Sequence, residues 1–342
     1  MQFNLPVQRF ILSFDAPAGR VMPTFAGNVW RGAFGHALRA AACLTGAPQC
    51  TGCTRKPQCA FAYVFDTPPP ADATAMRLYP NAPHPFVLRE LPAVTGAAAT
   101  AELMLTLIGR AQRLLPLIVE ALRAAAAGPG GIAGWQLTLR AVRQEARLGH
   151  EDWQRIDAAN GALNALPATP CEPPPAPGSA RSDAIRLELV TPLRVKREGR
   201  SLGPGALTFG DVFGSLMRRV SMLCTFHGDA LLAVPFAELA GLSRQVRMRA
   251  ALSSVRQQRF SNRQHQSMPM DGVVGWIEID ASVATVYWPF LWLGQYVHTG
   301  SAATMGLGCY ALVARPAEAG FTDQPRPDAQ TSASLPTVSE PA

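Results

Sequence analysis

The residues of this chain most able to do chemistry fall into four groups, and the first lies in the stretch WRGAFGHALRAAA. At helical spacing Gly32, Gly35, His36 and Arg39 share one face, while Val29, Ala33, Ala37 and Ala40 turn elsewhere. Glycine inside a helix costs about 0.5–1 kcal/mol relative to alanine, so two of them beside a histidine and an arginine imply a shallow groove. An imidazole near neutral pKa next to a cation can move a proton in general acid–base catalysis. The competing reading is close helix-to-sheet packing around a satisfied histidine. The second group is HTGSAATMGLGCY, where Gly300, Gly306 and Gly308 follow His298 around a polar turn. Such a loop can offer backbone N–H groups to phosphates. His298 either contacts such a phosphate or caps the preceding helix.

The third group is cationic. Between Leu239 and Met270 there is no acidic residue, yet Arg244, Arg247, Arg249, Arg256, Arg259 and Arg263 all fall there. Strand alternation places Arg259, Ser261 and Arg263 on one face, with Phe260, Asn262 and Gln264 on the other. Unpaired guanidinium groups near an aromatic suit phosphate and single-stranded base contacts, so Arg256, Arg259 and Arg263 are expected to bind RNA. The fourth group is Cys43, Cys50, Cys53 and Cys59, spaced C-x6-C-x2-C-x5-C. The central C-x2-C has the bite of a tetrahedral thiolate site, and four thiolates make a closed, structural one. A structural zinc is expected there, ahead of an iron–sulfur cluster.

The bulk composition agrees with a nucleic-acid partner. The chain carries a net charge of +7, and only Lys56 and Lys196 are lysines, so nearly all the positive charge is arginine. A guanidinium grips phosphate in two places and stacks on bases, which an ammonium does not. No apolar run approaches the roughly 20 residues that span a bilayer, and the N-terminus lacks a signal-peptide pattern, so no membrane partner and a cytoplasmic location are expected. Seven cysteines, an odd number, in a reducing compartment argue against a disulfide framework.

These groups need elements to hold them. PVQRFILSFDAP reads as a strand with Phe10, Leu12 and Phe14 on one face, followed by a helix capped by Thr24 or Asn28. The aromatic stretch FAYVF and a turn, TPPPA, follow the cysteine loop. HPFVLREL and AELMLTLIG read as strands, RAQRLLPLIVEALRAAAAGPGG as an amphipathic helix with a glycine stop, and WQLTLRAVRQEA as a strand. After a Pro-rich stretch the order recurs. IRLELVTPLRV is a strand, LTFGDVFGSLMRRVSMLCTF a helix, VRQQRFSNRQ and GVVGWIEID strands, VYWPFLWLGQYV a helix and GCYALVA the closing strand. The expected fold is therefore α+β, two tandem ferredoxin-like (RRM-like) domains with a Cys-rich insert after the first helix and a C-terminal glycine-rich loop. Residues 1–148 form the first domain, with the insert at 43–59. Residues 149–182 form a Pro-rich linker, 183–315 the second domain, and 316–342 a disordered tail.

WRGAFGHAL, RFSNRQ followed by MDGVVGWIEI, and VHTGSAATMGLGCYAL together resemble the CRISPR-associated pre-crRNA-processing endoribonucleases, the Cas six family of the RAMP superfamily. The correspondence runs from about Pro6 to Val313, and cysteine-bearing members share a Cys-rich insert after the first helix. The resemblance implies metal-independent cleavage within a CRISPR repeat RNA, with no cofactor for catalysis. The RNA's own 2′-hydroxyl attacks the adjacent phosphate, leaving a 2′,3′-cyclic phosphate and a 5′-hydroxyl. It implies His36 as general acid or base, with Arg31, Arg39 or Lys56 supplying positive charge and Tyr63 orienting groups or donating a proton. It also implies that the terminal glycine loop grips RNA backbone through Gly300, Gly306 and Gly308. Many members begin that loop with G-x-G, and here His298 stands at the first of those glycine positions. An alternative consistent with the resemblance is a non-catalytic RNA-binding RAMP subunit that works beside other CRISPR effector subunits.

Overall fold

Alternation in VQRFILSFD drives one face of the first strand into a core, and in the computed structural model Phe10, Leu12 and Phe14 are fully buried. The structure describes residues 3–17, 26–47, 49–67, 82–92, 100–168, 171–177, 183–229, 232–256, 258–261 and 266–316. Thr24, Arg263, most of TPPPA and the tail beyond residue 316 therefore lie outside the described residues, and of Arg259 only the backbone is described.

The first half runs β1 (Val7–Asp15), α1 (Gly27–Ala42), α2 (Ala60–Phe65), β2 (Phe86–Glu90), β3 (Thr100–Ile108), α3 (Leu115–Ala127), β4 (Thr138–Glu145) and β5 (Trp153–Arg155). Its antiparallel sheet has the order β2-β3-β1-β4-β5, with Val7 opposite Ile108 and Asp15 opposite Thr100. The second half runs β6 (Asp183–Leu193), the two-residue strands β7 (Lys196–Arg197) and β8 (Arg200–Ser201), α4 (Phe209–His227), α5 (Phe236–Ser243), β9 (Arg249–Val255), β10 (Gln258–Ser261), β11 (Gln266–Pro269), β12 (Gly272–Asp280), α6 (Ala281–Val297) and β13 (Tyr310–Pro316). Its main sheet has the order β13-β6-β12-β9. In each half the closing strand lies beside the opening one, which pairs on its other side with the third strand, and that strand pairs with the second. The halves are two ferredoxin-like units, and the α+β tandem expectation is met.

Each half has its own core. Trp30, Phe34 and Leu38 of α1 recur at helical spacing and pack on Phe86, Leu103 and Leu105. Phe209, Phe213 and Leu216 of α4 pack on Phe290 and Leu291 of α6. Thr208 and Asp211 close a capping box at the start of α4, which fixes where that helix begins. Arg9 of β1 reaches Glu145 of β4 in a buried ion pair and lies over the rings of Trp153 and Tyr296, linking the first sheet to α6 of the second unit.

The aromatic stretch FAYVF forms a helix, α2. Three expectations change. Helix α1 starts at Gly27 behind Ala26 without a side-chain cap, and Asn28 lies inside it. VRQQRFSNRQ does not form one strand: β9 ends at Val255, and β10 and β11 make a separate two-stranded hairpin between β9 and β12. The described part of 149–182 is not linker throughout, for Trp153–Arg155 add β5 to the first sheet and Ile156 is buried. Cys171 pairs with Phe3 in a β-bridge inside the second core, and the Pro174 carbonyl accepts from Trp288 Nε1 at 2.7 Å.

Candidate functional site

Where α1, α4 and the glycine loop meet, the two units are joined by backbone. A Cβ on Gly27, at the start of α1, would lie 1.9 Å from the Met305 carbonyl oxygen, so glycine is required for α1 to seat on the loop. Gly306 and Gly308 take φ of +83° and +70°, and a Cβ on Gly308 would lie 1.8 Å from the Thr299 carbonyl. A Cβ on Gly306 would meet the Leu88 carbonyl of β2 at 2.8 Å. The loop is thus a wedge between the domains. Its N–H groups are spent inside the protein. Gly308 donates to Pro192, Thr299 to Gly308, Ser301 to Arg194 and Gly306 to Ala303. The Thr191 hydroxyl donates to the Gly306 carbonyl at 2.7 Å and accepts from Cys309 N–H at 2.9 Å. This corrects the expectation of a row of N–H groups offered to phosphate: at these positions the glycines serve close packing. The Gly300–Ser301 end of the loop borders a surface cleft.

His298 also turns inward. It is 3% exposed, and its Nδ1–H donates to the Leu307 carbonyl at 3.1 Å. Burial pushes its pKa down to about 3, so the ring is neutral. Its backbone sits at φ 61°, ψ 168°, a region that L side chains rarely adopt and that costs on the order of 1–3 kcal/mol. This histidine therefore holds a glycine conformation from within and does not face an RNA.

His36 is exposed on the outer side of α1, away from the buried Trp30, Phe34 and Leu38. The glycine face beside it is closed from α2 at Gly35, where a Cβ would meet the Phe65 ring at 3.3 Å, and open at Gly32, where a Cβ would meet nothing within 4 Å. Arg31 lies over the same ring and its Nη2 donates to His84 Nε2 at 3.1 Å, which leaves the proton of His84 on Nδ1. Burial, reinforced by Arg31 and Arg219, lowers the His84 pKa to about 3.

Three partners expected around His36 are committed elsewhere. Arg39 donates to the Ala47 carbonyl and lies over Phe61, where it holds the cysteine loop against the first helix. Tyr63 faces the second unit. His227 donates from Nε2 to the Pro83 carbonyl at 2.7 Å, so its Nδ1 accepts the Tyr63 hydroxyl at 3.1 Å. Burial lowers the His227 pKa to about 4 and raises that of Tyr63. These are joint-forming side chains. Lys56 is paired with Asp66 at 2.6 Å.

The arginine ribbon is broken by the fold. Arg249 pairs with Glu278 at 3.4 Å, which corrects the expectation that every arginine there is unpaired, whereas Arg256 is exposed after β9. Cys43, Cys50, Cys53 and Cys59 all line one cavity of about 270 Å3. Cys43 and Cys53 each approach the Thr45 hydroxyl, at 3.7 and 3.9 Å; hydrogen bonds from Thr45 lower the Cys43 pKa, and burial raises that of Cys50. Among the described residues no three His, Cys, Asp or Glu side chains are placed to hold a metal ion, so the thiols share a cavity without forming a tetrahedral set.

Sequence reasoning missed one cluster. Lys196 of β7, Ser215, Arg218 and Arg219 of α4, and Gly300 and Ser301 of the loop line a second cleft of about 150 Å3. Ser215, Arg218, Arg219 and Met222 follow i, i+3, i+4, i+7, a helical face visible in SLMRRVSM. What brings Lys196 and the loop to it is tertiary.

The fold and this junction define a protein of two ferredoxin-like units held together at the glycine loop. Residues 187–310 match the family described as CRISPR-associated endoribonuclease Cas6, and residues 5–168 match the N-terminal domain family AF_1859_N. The Cas6 match is confined to the second unit and spans a little over a third of the chain. No curated protein matches it in sequence. Among solved structures, a Cas6 product complex is similar at 18% identity and a TM-score of 0.55, over 90% of this chain and 100% of that one. Thermus thermophilus Cas6 gives 16%, 0.50, 90% and 99%. The partial Cas6-RT-Cas1–Cas2 complex gives 12% and 0.51, over 94% of this chain and 48% of that one. At these identities the structural likeness concerns the fold. No described helix is long and apolar enough to cross a membrane.

Proposed function

We propose that this chain binds a CRISPR repeat RNA and cuts it at one phosphodiester to release guide RNAs. The ribose 2′-oxygen forms a bond to phosphorus while the bond from phosphorus to the 5′-oxygen breaks. The products are a 2′,3′-cyclic phosphate and a 5′-hydroxyl. A base takes the 2′-hydroxyl proton and an acid returns one to the leaving oxygen, and no metal ion takes part. His36 is the residue we assign to this proton transfer. The observation that carries the reading is its exposed imidazole on the first helix of a protein whose second unit matches the Cas6 endoribonucleases. Arg31, which on α1 also meets His84 and the Phe65 ring, and exposed Arg256 are assigned to the RNA backbone, where guanidinium groups meet phosphate.

One observation favours a second reading, a non-catalytic RNA-binding subunit of a CRISPR assembly. Tyr63 and Arg39, the side chains expected to assist His36, are engaged by His227 and Ala47. One neighbour is described as a Cas6-RT-Cas1–Cas2 complex, which makes other CRISPR proteins the partners to try. The test is cleavage of repeat RNA by the parent and by His36→Ala. Loss of cutting with retained binding supports the enzyme; binding without a cut by the parent supports the subunit.

A further inference from the structure

The cleft between α4 and the start of the glycine loop carries three cations and no carboxylate. Lys196 and Arg218 are exposed at its rim. Arg219 lines it from below, half-buried, with Nε donating to the Val297 carbonyl at 2.8 Å. Its Nη2 is sealed from solvent and has no hydrogen-bond partner among the described residues. A buried charged donor without an acceptor costs more than about 1–3 kcal/mol, and an anion in the cleft beside it offsets part of that cost through its charge. Burial lowers the Arg219 pKa only to about 10, which leaves the guanidinium charged at neutral pH. Its field acts on three neighbouring histidines, His84, His227 and His298, where it adds to burial in keeping the rings neutral. None of these rings therefore competes for an anion as a further cation, and none offers a negative charge to satisfy Arg219. Ser215 and Ser301 add hydroxyl groups on opposite walls. At about 150 Å3 the space admits a phosphate with part of its ribose, and it is small for a base stacked on a side chain.

We propose that this cleft is a phosphate subsite that receives one internucleotide phosphate of bound RNA. Arg219 is the buried cation beneath it, Lys196 and Arg218 are the cations at the rim, and the serine hydroxyls complete the oxygen contacts. The inference rests on the RNA-binding reading above and deepens it: the RNA path crosses the α4 side of the domain junction as well as α1. It also gives the Gly300 end of the loop a use, since the rest of the loop is closed on itself.

The test is the salt dependence of binding to a 2′-deoxy repeat RNA that cannot be cut, for the parent and for Lys196→Ala/Arg218→Ala. Both positions are exposed, so the double variant keeps the core intact. Loss of one phosphate contact should flatten the slope of log K against log salt by about 0.7–0.9 and weaken binding roughly tenfold. A charge-matched control, Arg123→Ala/Arg155→Ala in the first unit, should leave the slope near that of the parent. Arg219→Gln reports on the buried donor, with thermal unfolding measured beside it. An unchanged slope and affinity in Lys196→Ala/Arg218→Ala, with the parent binding tightly, overturns the subsite. If the parent binds no RNA, the functional reading fails, and inorganic phosphate then separates the two claims. A phosphate-induced rise in Tm that the double variant loses keeps the cleft as a phosphate site for a free ligand. No difference between parent and variant removes it.

Discussion

Gly308→Ala should separate a loop built for packing from one built for ligand. Two costs act there. At φ +70° an L side chain is strained, a cost of about 1–2 kcal/mol. A Cβ would also stand 1.8 Å from the Thr299 carbonyl oxygen, so the backbone must move. Thr299 is fully buried, and its N–H donates to the Gly308 carbonyl, while Gly308 N–H donates to Pro192. Displacing that pair of bonds adds about 1 kcal/mol each. The sum is about 3–4 kcal/mol. Gly161→Ala is the control, since it has φ +81° but nothing within 4 Å of a Cβ. It should lose only the strain, about 1–2 kcal/mol. Urea unfolding followed by near-ultraviolet circular dichroism reads both. Equal losses in the two variants would refute the wedge, because they would mean that the loop yields to a methyl group without disturbing its surroundings.

Three further outcomes follow from the same geometry. His36→Ala should lower repeat cleavage by about 10²-fold or more with RNA affinity nearly kept, as expected for removal of a general acid or base; cutting at the parent rate would transfer the assignment to another residue. Stability should fall with acid. His84, His227 and His298 have folded pKa values depressed by burial to about 3, 4 and 3, below the ordinary 6.5. The folded state is therefore fully favoured above about pH 6.5 and loses stability as pH falls toward 4, by up to about 2 kcal/mol per histidine at pH 5. Urea titrations at pH 7.5 and 5 that agree would contradict this. Finally, if the four cysteines draw together on a structural zinc, the purified protein should hold one zinc per chain by elemental analysis, and Cys50→Ser/Cys53→Ser should lose it. A zinc-free, folded protein would leave those thiols as lining of their cavity.

The repeated strand and helix order was legible because periodicity is local. Phe10, Leu12 and Phe14 alternate, and Trp30, Phe34 and Leu38 recur at helical spacing, so the tandem architecture could be read directly. What escaped depends on pairs far apart in sequence. Arg249 meets Glu278, Tyr63 meets His227 across 164 residues, and Lys196 meets Arg218 and Ser301 only once the second unit has folded. The glycine loop was found by composition, yet composition does not say which way N–H groups point, and here they point inward. His298 illustrates the same limit. Its place before the glycines was visible, while its positive φ and its bond to Leu307 were set by packing. His36 is the one proposed catalytic side chain that the fold leaves exposed.

The most direct measurement is incubation of the purified protein with labelled repeat RNA in EDTA, beside the same RNA carrying a 2′-deoxy substitution at the cut site. The account predicts one cut that persists in EDTA, leaves a 2′,3′-cyclic phosphate, and vanishes with the deoxy substrate. Tight binding without a cut, or a cut that needs a divalent metal, would contradict it.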